Sequence, residues 1–190
     1  MSKLSVILLH DQMVDKRGDL VTTSLTLIDL HDISRSSKTY GAQNFFISHS
    51  GAAMRKIAKT LRLHWEEGFG ATYNPNRKEA LGILDIVSSL DEAIHKIDTA
   101  EGRLPKLVAT SARPGNNRVS FSEMREKLSA GQDHYLLMLG TGWGMSEELL
   151  SRADYFLEPI NGPTDYNHLS VRSACAIMLD RLLAPKCILD

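Results

Sequence analysis

Leu136-Leu137-Met138-Leu139-Gly140-Thr141-Gly142-Trp143-Gly144-Met145 sets an unbroken apolar run directly against a loop with glycine at alternate positions. A short continuous apolar run fits a strand covered on both faces of a sheet. The residues that follow are a short helix, a strand-like stretch from Tyr155 to Ile160, a polar loop from Asn161 to His168, and an apolar helix from about Leu169 to Leu183. Strand, glycine loop, helix, strand, loop and helix is the local order of an α/β ligand site.

Upstream, Lys3 to Leu9 has the same apolar continuity and reads as a central strand, with Asp11 to Gly18 as a polar connection. A helix is expected over the second part of Val21 to Tyr40, with Ser24 able to cap it and Gly41 to stop it. Gln43 to Ser48 is a second strand. Ser50 can cap the next helix, where Met54, Ile57, Ala58 and Leu61 fall at helical spacing and Arg55, Lys59 and Arg62 form a basic stripe on another side. Pro75 suits an early helical position, Ile83 to Val87 a third strand, and Leu90 to Ile97 a helix behind Ser89. Lys106 to Thr110 is a fourth strand, and the small and polar residues Ser111 to Asn117 at its end are where open α/β sheets place ligand loops. Ser120 with Glu123 makes a capping box, and Tyr135 to Leu139 and Tyr155 to Ile160 complete six strands. The alternation predicts a single α/β domain over residues 1–190, with a mostly parallel six-stranded sheet and helices on both faces.

Composition narrows the function classes. The chain has 190 residues, 43% hydrophobic and 24% charged, and its 22 basic and 23 acidic residues leave a formal charge of −1. That excludes a globally basic nucleic-acid binder but not a local basic patch. No apolar run approaches the roughly 20 residues of a membrane span, so a cytoplasmic location is expected. Cys175 and Cys187 form neither a disulfide framework nor a metal motif, and the seven histidines have no paired helical spacing, so no metal is expected. Both cysteines read as buried or bystander thiols.

The glycine loop lacks the three-glycine spacing of a dinucleotide fingerprint and the Lys-Ser/Thr ending of a phosphate loop. What it offers is close backbone approach, so that main-chain N–H and C=O groups can bond the edge of a flat heterocycle.

The segment Glu158-Pro159-Ile160-Asn161-Gly162-Pro163-Thr164-Asp165-Tyr166-Asn167-His168-Leu169-Ser170-Val171-Arg172-Ser173-Ala174 resembles the third motif of the SPOUT superfamily of RNA methyltransferases. Asp29-Leu30-His31-Asp32-Ile33-Ser34-Arg35-Ser36-Ser37-Lys38-Thr39-Tyr40-Gly41 is similar to the first motif of its ribose-methylating branch, and Leu139 to Met145 occupies the second. Nearly the whole chain resembles a small bacterial SPOUT family carrying Asp-Leu-His-Asp-Ile, Tyr-Asn-Pro-Asn-Arg and Thr-Ser-Ala-Arg-Pro stretches.

This resemblance implies a C-terminal trefoil knot, S-adenosylmethionine held by the knot loops, an RNA substrate such as tRNA or rRNA, and a homodimer with its site at the subunit interface. It places the cofactor against Thr110, Ser111, Leu139, Gly140, Thr141, Gly142, Gly144 and Met145, and against Leu157, Pro159, Ile160, Asn167, His168, Leu169, Ser170 and Ser173. Asp29, Gly142 and His168 stand where the ribose-methylating branch commonly has asparagine, glutamate and asparagine, which separates cofactor use from ribose specificity. For proton management Asp165 is the loop carboxylate, with His31 and His168 as alternatives. Arg35 and Arg113 can orient a phosphate or stabilise a developing oxyanion. Arg35, Arg113 and part of the Arg55/Lys59/Arg62 stripe are expected on one groove, and Trp143 is either a lid or a dimer contact. Two other classes remain open: a catalytically silent cofactor- and RNA-binding module, and an unrelated doubly wound nucleotide-binding protein.

Overall fold

A computed structural model of the chain describes residues 2–185, so Cys187 lies outside the described residues. The sheet is built from β1 (Lys3–Leu9), β4 (Phe45–Ser48), β5 (Leu84–Val87), β6 (Lys106–Ala109), β7 (His134–Gly140) and β8 (Tyr155–Phe156), in the order β5-β4-β1-β7-β6-β8. Every pairing in it is parallel. The longest, β1 on β7, runs in register from Lys3 opposite His134 to Leu9 opposite Gly140.

Successive strand residues point to opposite faces, and both faces are apolar. Leu4, Val6, Leu8, Tyr135, Leu137 and Leu139 share one core with Leu30 and Ile33 of α1 (Leu27–Thr39), Met124 and Leu128 of α6 (Phe121–Ala130), and Met178, Leu179 and Leu182 of α8 (Val171–Leu183). Ile7, Leu9, Leu136 and Met138 turn the other way, toward Leu90, Ala93 and Ile97 of α5 (Leu90–Glu101) and Leu149 of α7 (Glu147–Leu150). This two-sided burial is why the two longest strands read as continuous apolar runs. Cys175 lies in the first core, and burial pushes its thiol up to about 12, so it stays protonated and unreactive near neutrality.

The local signals for helix ends mostly hold. Ser89 accepts from the Glu92 N–H, Ser120 and Glu123 form the reciprocal capping box, and Gly41 follows α1 with φ +74°. Between β4 and β5 come α2 (Ala52–Glu66), α3 (Phe69–Tyr73) and α4 (Pro75–Leu81), the last capped by Asn74 with Pro75 at its first position.

Four expectations are corrected. Residues 11–18 are not a plain polar connection: β2 (Met13–Val14) pairs with β3 (Leu20–Val21) in an antiparallel hairpin that buries Met13 completely. The chain stays extended through Thr26, so Thr26 rather than Ser24 precedes α1. Gly51, not Ser50, takes the cap position of α2, because the Ser50 hydroxyl and N–H both donate to Asp11. The sixth strand stops at Phe156: Leu157 bridges to Val119 instead, and Pro159 has no N–H to give a ladder.

Candidate functional site

The chain runs from β1 outward through β4 to β5, then fills the other side with β6 and β7, so its direction reverses beside β1. Open α/β sheets bind ligands at such a point, outside the carboxyl ends of the strands. A cleft of about 900 Å³ lies there, within the usual range of small-molecule sites, roughly 300–1,000 Å³. Three loops wall it: Thr110 to Arg113 after β6, Leu139 to Met145 after β7, and Ile160 with Asn167 to Leu169 before α8. His10, Thr23, Ser24, Thr26 and Asp29 close it on the β1 side, and Val171, Arg172, Ala174 and Met178 form its α8 wall.

The glycine loop is held from behind by the β2–β3 hairpin. Trp143 N–H donates to the Val14 carbonyl, Val14 N–H to the Gly144 carbonyl, and Ser146 N–H to the Gln12 carbonyl. A Cβ on Gly140 would fall 2.9 Å from the Met145 Cγ, and Gly142 adopts φ +61° with its missing Cβ 3.1 Å from the Thr23 methyl. Gly142→Val therefore strains the loop twice, and S-adenosylhomocysteine affinity, read by calorimetry, is expected to fall at least tenfold while the far-UV spectrum stays native.

Thr23 links the loop to β1. The Thr141 hydroxyl donates to the Leu9 carbonyl at 3.0 Å, and Thr23 Oγ1 lies within hydrogen-bond distance of the Thr141 hydroxyl, of His10 Nδ1 at 2.9 Å and of the His10 carbonyl at 3.4 Å. The other ring nitrogen of His10, Nε2, is buried without a partner among the described residues. Burial, and then the neighbouring His49, push the His10 pKa down from 6.5 to about 4. The unfolded chain thus takes up a proton at this position as pH falls below 6.5 while the folded chain does so only near 4, and stability declines across that window. Burial also lowers His134, in the same direction. The urea midpoint is expected to fall between pH 7 and pH 5, with a shallower fall in His10→Gln.

The other walls are tied as firmly. The Arg113 guanidinium donates to the Trp143 carbonyl at 3.2 Å, and Arg118 donates to the Arg113 carbonyl at 3.2 Å. The Asn167 amide donates to the Ala112 carbonyl at 2.9 Å, which joins the loop before α8 to the loop after β6. At the start of α8, Arg172 bridges Asp29 at 3.1 Å and Asp32 at 3.5 Å, and the Thr26 hydroxyl donates to Asp29.

Of the expected cofactor residues, Thr110, Ser111, Leu139, Gly140, Thr141, Gly142, Gly144, Met145, Ile160, Asn167, His168 and Leu169 line the cleft. Leu157, Pro159, Ser170 and Ser173 do not: Leu157 is fully buried in the core, and the Ser170 hydroxyl caps α8 at the Ser173 N–H. Arg113 lines the cleft, whereas Arg35 is exposed on α1 and Asp165 is exposed on its loop, both outside these walls. His31 also lies outside, edge-on to Trp65. The Arg55/Lys59/Arg62 stripe does not reach the cleft, since Arg55 donates to the His49 and Ser50 carbonyls and Arg62 pairs with Glu66 at 2.8 Å. His10, Thr23 and the hairpin were not singled out from the sequence, because only a tertiary contact brings them to the glycine loop.

A family model described as SAM-dependent RNA methyltransferase matches residues 3–184. The chain belongs to this family. It is 38% identical over 179 residues to an uncharacterized protein of Aquifex aeolicus, covering 94% of this chain and 87% of that one. It is 39% identical over 176 residues to a protein of Oleidesulfovibrio alaskensis named tRNA (guanine-N(1)-)-methyltransferase, covering 93% of this chain but only 41% of that protein. The chain thus spans about two fifths of that relative. Among solved structures, the A. aeolicus TrmH/SpoU tRNA modifying enzyme superimposes with a TM-score of 0.54 at 17% identity, covering 96% of this chain and 75% of that one, which shows a shared fold. The methyltransferase family to which the three motifs pointed is therefore shown, as an S-adenosylmethionine-dependent RNA methyltransferase family, and the fold is shared with a TrmH/SpoU enzyme.

The cleft suits that cofactor. Leu139, Ile160, Leu169 and Met178 offer apolar surface for a flat ring, and the Gly140–Gly144 loop brings backbone close to its edge. When bound, the cofactor supplies a methyl group already activated on a sulfonium. The protein's share is alignment, which can account for several kcal/mol of a barrier. No helix among the described residues is long and apolar enough to cross a membrane.

Proposed function

We propose that residues 1–190 act as one methyltransferase domain that methylates tRNA or rRNA in the cytoplasm, as a homodimer. The observation that carries this reading is the convergence of three separate loops, after β6, after β7 and before α8, on one cleft at the ends of the central strands. The cofactor then rests on Thr110, Ser111, the Leu139–Met145 loop, Ile160 and Asn167 to Leu169. Arg113, on the wall and free to present the rest of its planar fork, orients the RNA phosphate or stabilises charge developing on the acceptor. The departing proton goes to His168, which lines the cleft, or in the alternative to Asp165 on the same loop before α8.

The dimer is supported by apolar side chains at the mouth of the cleft: Leu27 and Ile28 beside Thr26, Leu169 at the start of α8, and Trp143 on the glycine loop are all exposed. Pairing there buries them and brings Arg35 of α1 toward the partner's cleft. The trefoil knot belongs to the same proposal, supported by the path of the chain from the sheet edge at β8, across Ala112 through Asn167, and back to pack α8 on α1 and α6.

Calorimetry with S-adenosylhomocysteine, ATP and NAD tests the cofactor; a response to NAD or ATP alone rejects it. Transfer of labelled methyl groups into total RNA, including RNA from cells lacking this protein, tests the reaction. Incorporation is expected, and binding without incorporation into any RNA fraction leaves a silent binding module. Nucleoside mass spectrometry of RNA from the two strains then names the modified atom.

A further inference from the structure

Helices α2, α3 and α4 pack on one another and on α1 and β5, and none of their residues lines the cleft. Trp65 anchors the unit. The Arg77 guanidinium lies over its ring at 4.6 Å, and His31 and His64 meet it edge to face. A Cβ on Gly70 would fall 2.6 Å from a Trp65 ring carbon, so the glycine lets α3 press directly on the indole.

Held this way, α3 turns Phe69 and Tyr73 to solvent, 77% and 75% exposed, with their rings stacked at 5.9 Å between centroids and 21° between planes. Single exposed apolar residues need no explanation, but two large rings held nearly parallel in water bury little that helps folding. The surrounding unit is basic: residues 52–81 carry six Lys and Arg against three Glu, in a chain of overall charge −1. Arg55, Arg62 and Arg77 are engaged within the fold. Lys56, Lys59 and Lys78 are exposed and form no ion pair among the described residues.

We infer that α3 is a stacking platform for unpaired bases of the RNA substrate, with lysines of α2 and α4 meeting the adjoining phosphates. This rests on the RNA methyl transfer proposed above. Aromatic faces beside cations accept any base, because every base has a π-face. Two stacking spacings of about 3.4 Å exceed the 5.9 Å between the rings, so a base stacks on an outer face rather than between them. Charge selects RNA over a protein partner: protein interfaces deplete lysine at their centres, and a second copy would set the same lysines against themselves.

The test is anisotropy of a labelled, mixed-sequence single-stranded oligoribonucleotide, titrated with the full chain and with Phe69→Ala/Tyr73→Ala. Affinity is expected to fall tenfold or more, within the range for loss of base–aromatic stacking, and the wild type should bind the same strand in a duplex more weakly. Phe69→Tyr and Tyr73→Phe should retain binding, and Lys56→Glu/Lys59→Glu should weaken it with a flatter salt dependence. S-adenosylhomocysteine affinity should not change in any variant. Unchanged RNA affinity in the double alanine variant overturns the inference, as does a loss of self-association in its place. If the alanine variant binds normally while the wild type methylates RNA, only the platform fails; if RNA binding needs the rings but no methyl is transferred, only the reaction fails.

Discussion

Leu137→Ala is expected to lower the unfolding free energy by about 2–5 kcal/mol, the cost of deleting a fully buried leucine and leaving a cavity. Leu137 lies in β7 between Val6 of β1 and Val108 of β6, is 0% exposed, and belongs to the core shared with α1, α6 and α8. Parallel strands covered on both faces cannot collapse far around a lost side chain, because each neighbour is fixed by a ladder and a helix at once. Urea melts at fixed pH measure the loss. Leu104→Ala, at an exposed position before β6, should stay within about 0.5 kcal/mol. Similar midpoints for the two variants would contradict the assignment of β7 to the centre of the sheet.

Arg113→Ala is expected to reduce methyl transfer to RNA by about 10²-fold or more, the scale seen when a single group stabilising developing charge is removed. S-adenosylhomocysteine affinity should change less than tenfold. The two readouts together matter, because Arg113 also donates to the Trp143 carbonyl and so helps hold the glycine loop. A parallel fall in affinity and rate would reduce Arg113 to a prop for that loop. Arg113→Lys should recover only part of the rate, since an ammonium keeps the charge but not the planar fork. An unchanged rate in Arg113→Ala would remove it from the reaction.

Legibility in the sequence differed from one part of the site to another, for physical reasons. The Leu139–Met145 and Thr110–Arg113 loops were readable because each follows an apolar run closely, and strand ends in an open α/β sheet face one side. Glu123 three residues after Ser120 announced its capping box because that bond is made within one helical turn. The hairpin at Met13 and Val21 gave no comparable sign: each of its strands is two residues long, too short for an alternation to emerge. The stripe of Arg55, Lys59 and Arg62 read correctly as one side of a helix, but its partners, the His49 carbonyl and Asp85, come from other elements.

By itself the sequence determined the order of the six strands of the main sheet, their burial on both faces, and three motifs specific enough to place the chain in a methyltransferase family. These are local properties, set by side-chain period, capping and turn chemistry over a few residues. Only the tertiary structure decided which residues meet. It placed His10 and Thr23 behind Thr141, tied Arg172 to Asp29 across 143 positions of chain, left Arg35 and Asp165 outside the cleft, and set Phe69 and Tyr73 out in solvent. Such contacts depend on strand order and on the return path of the last helix, and no period along the chain encodes them.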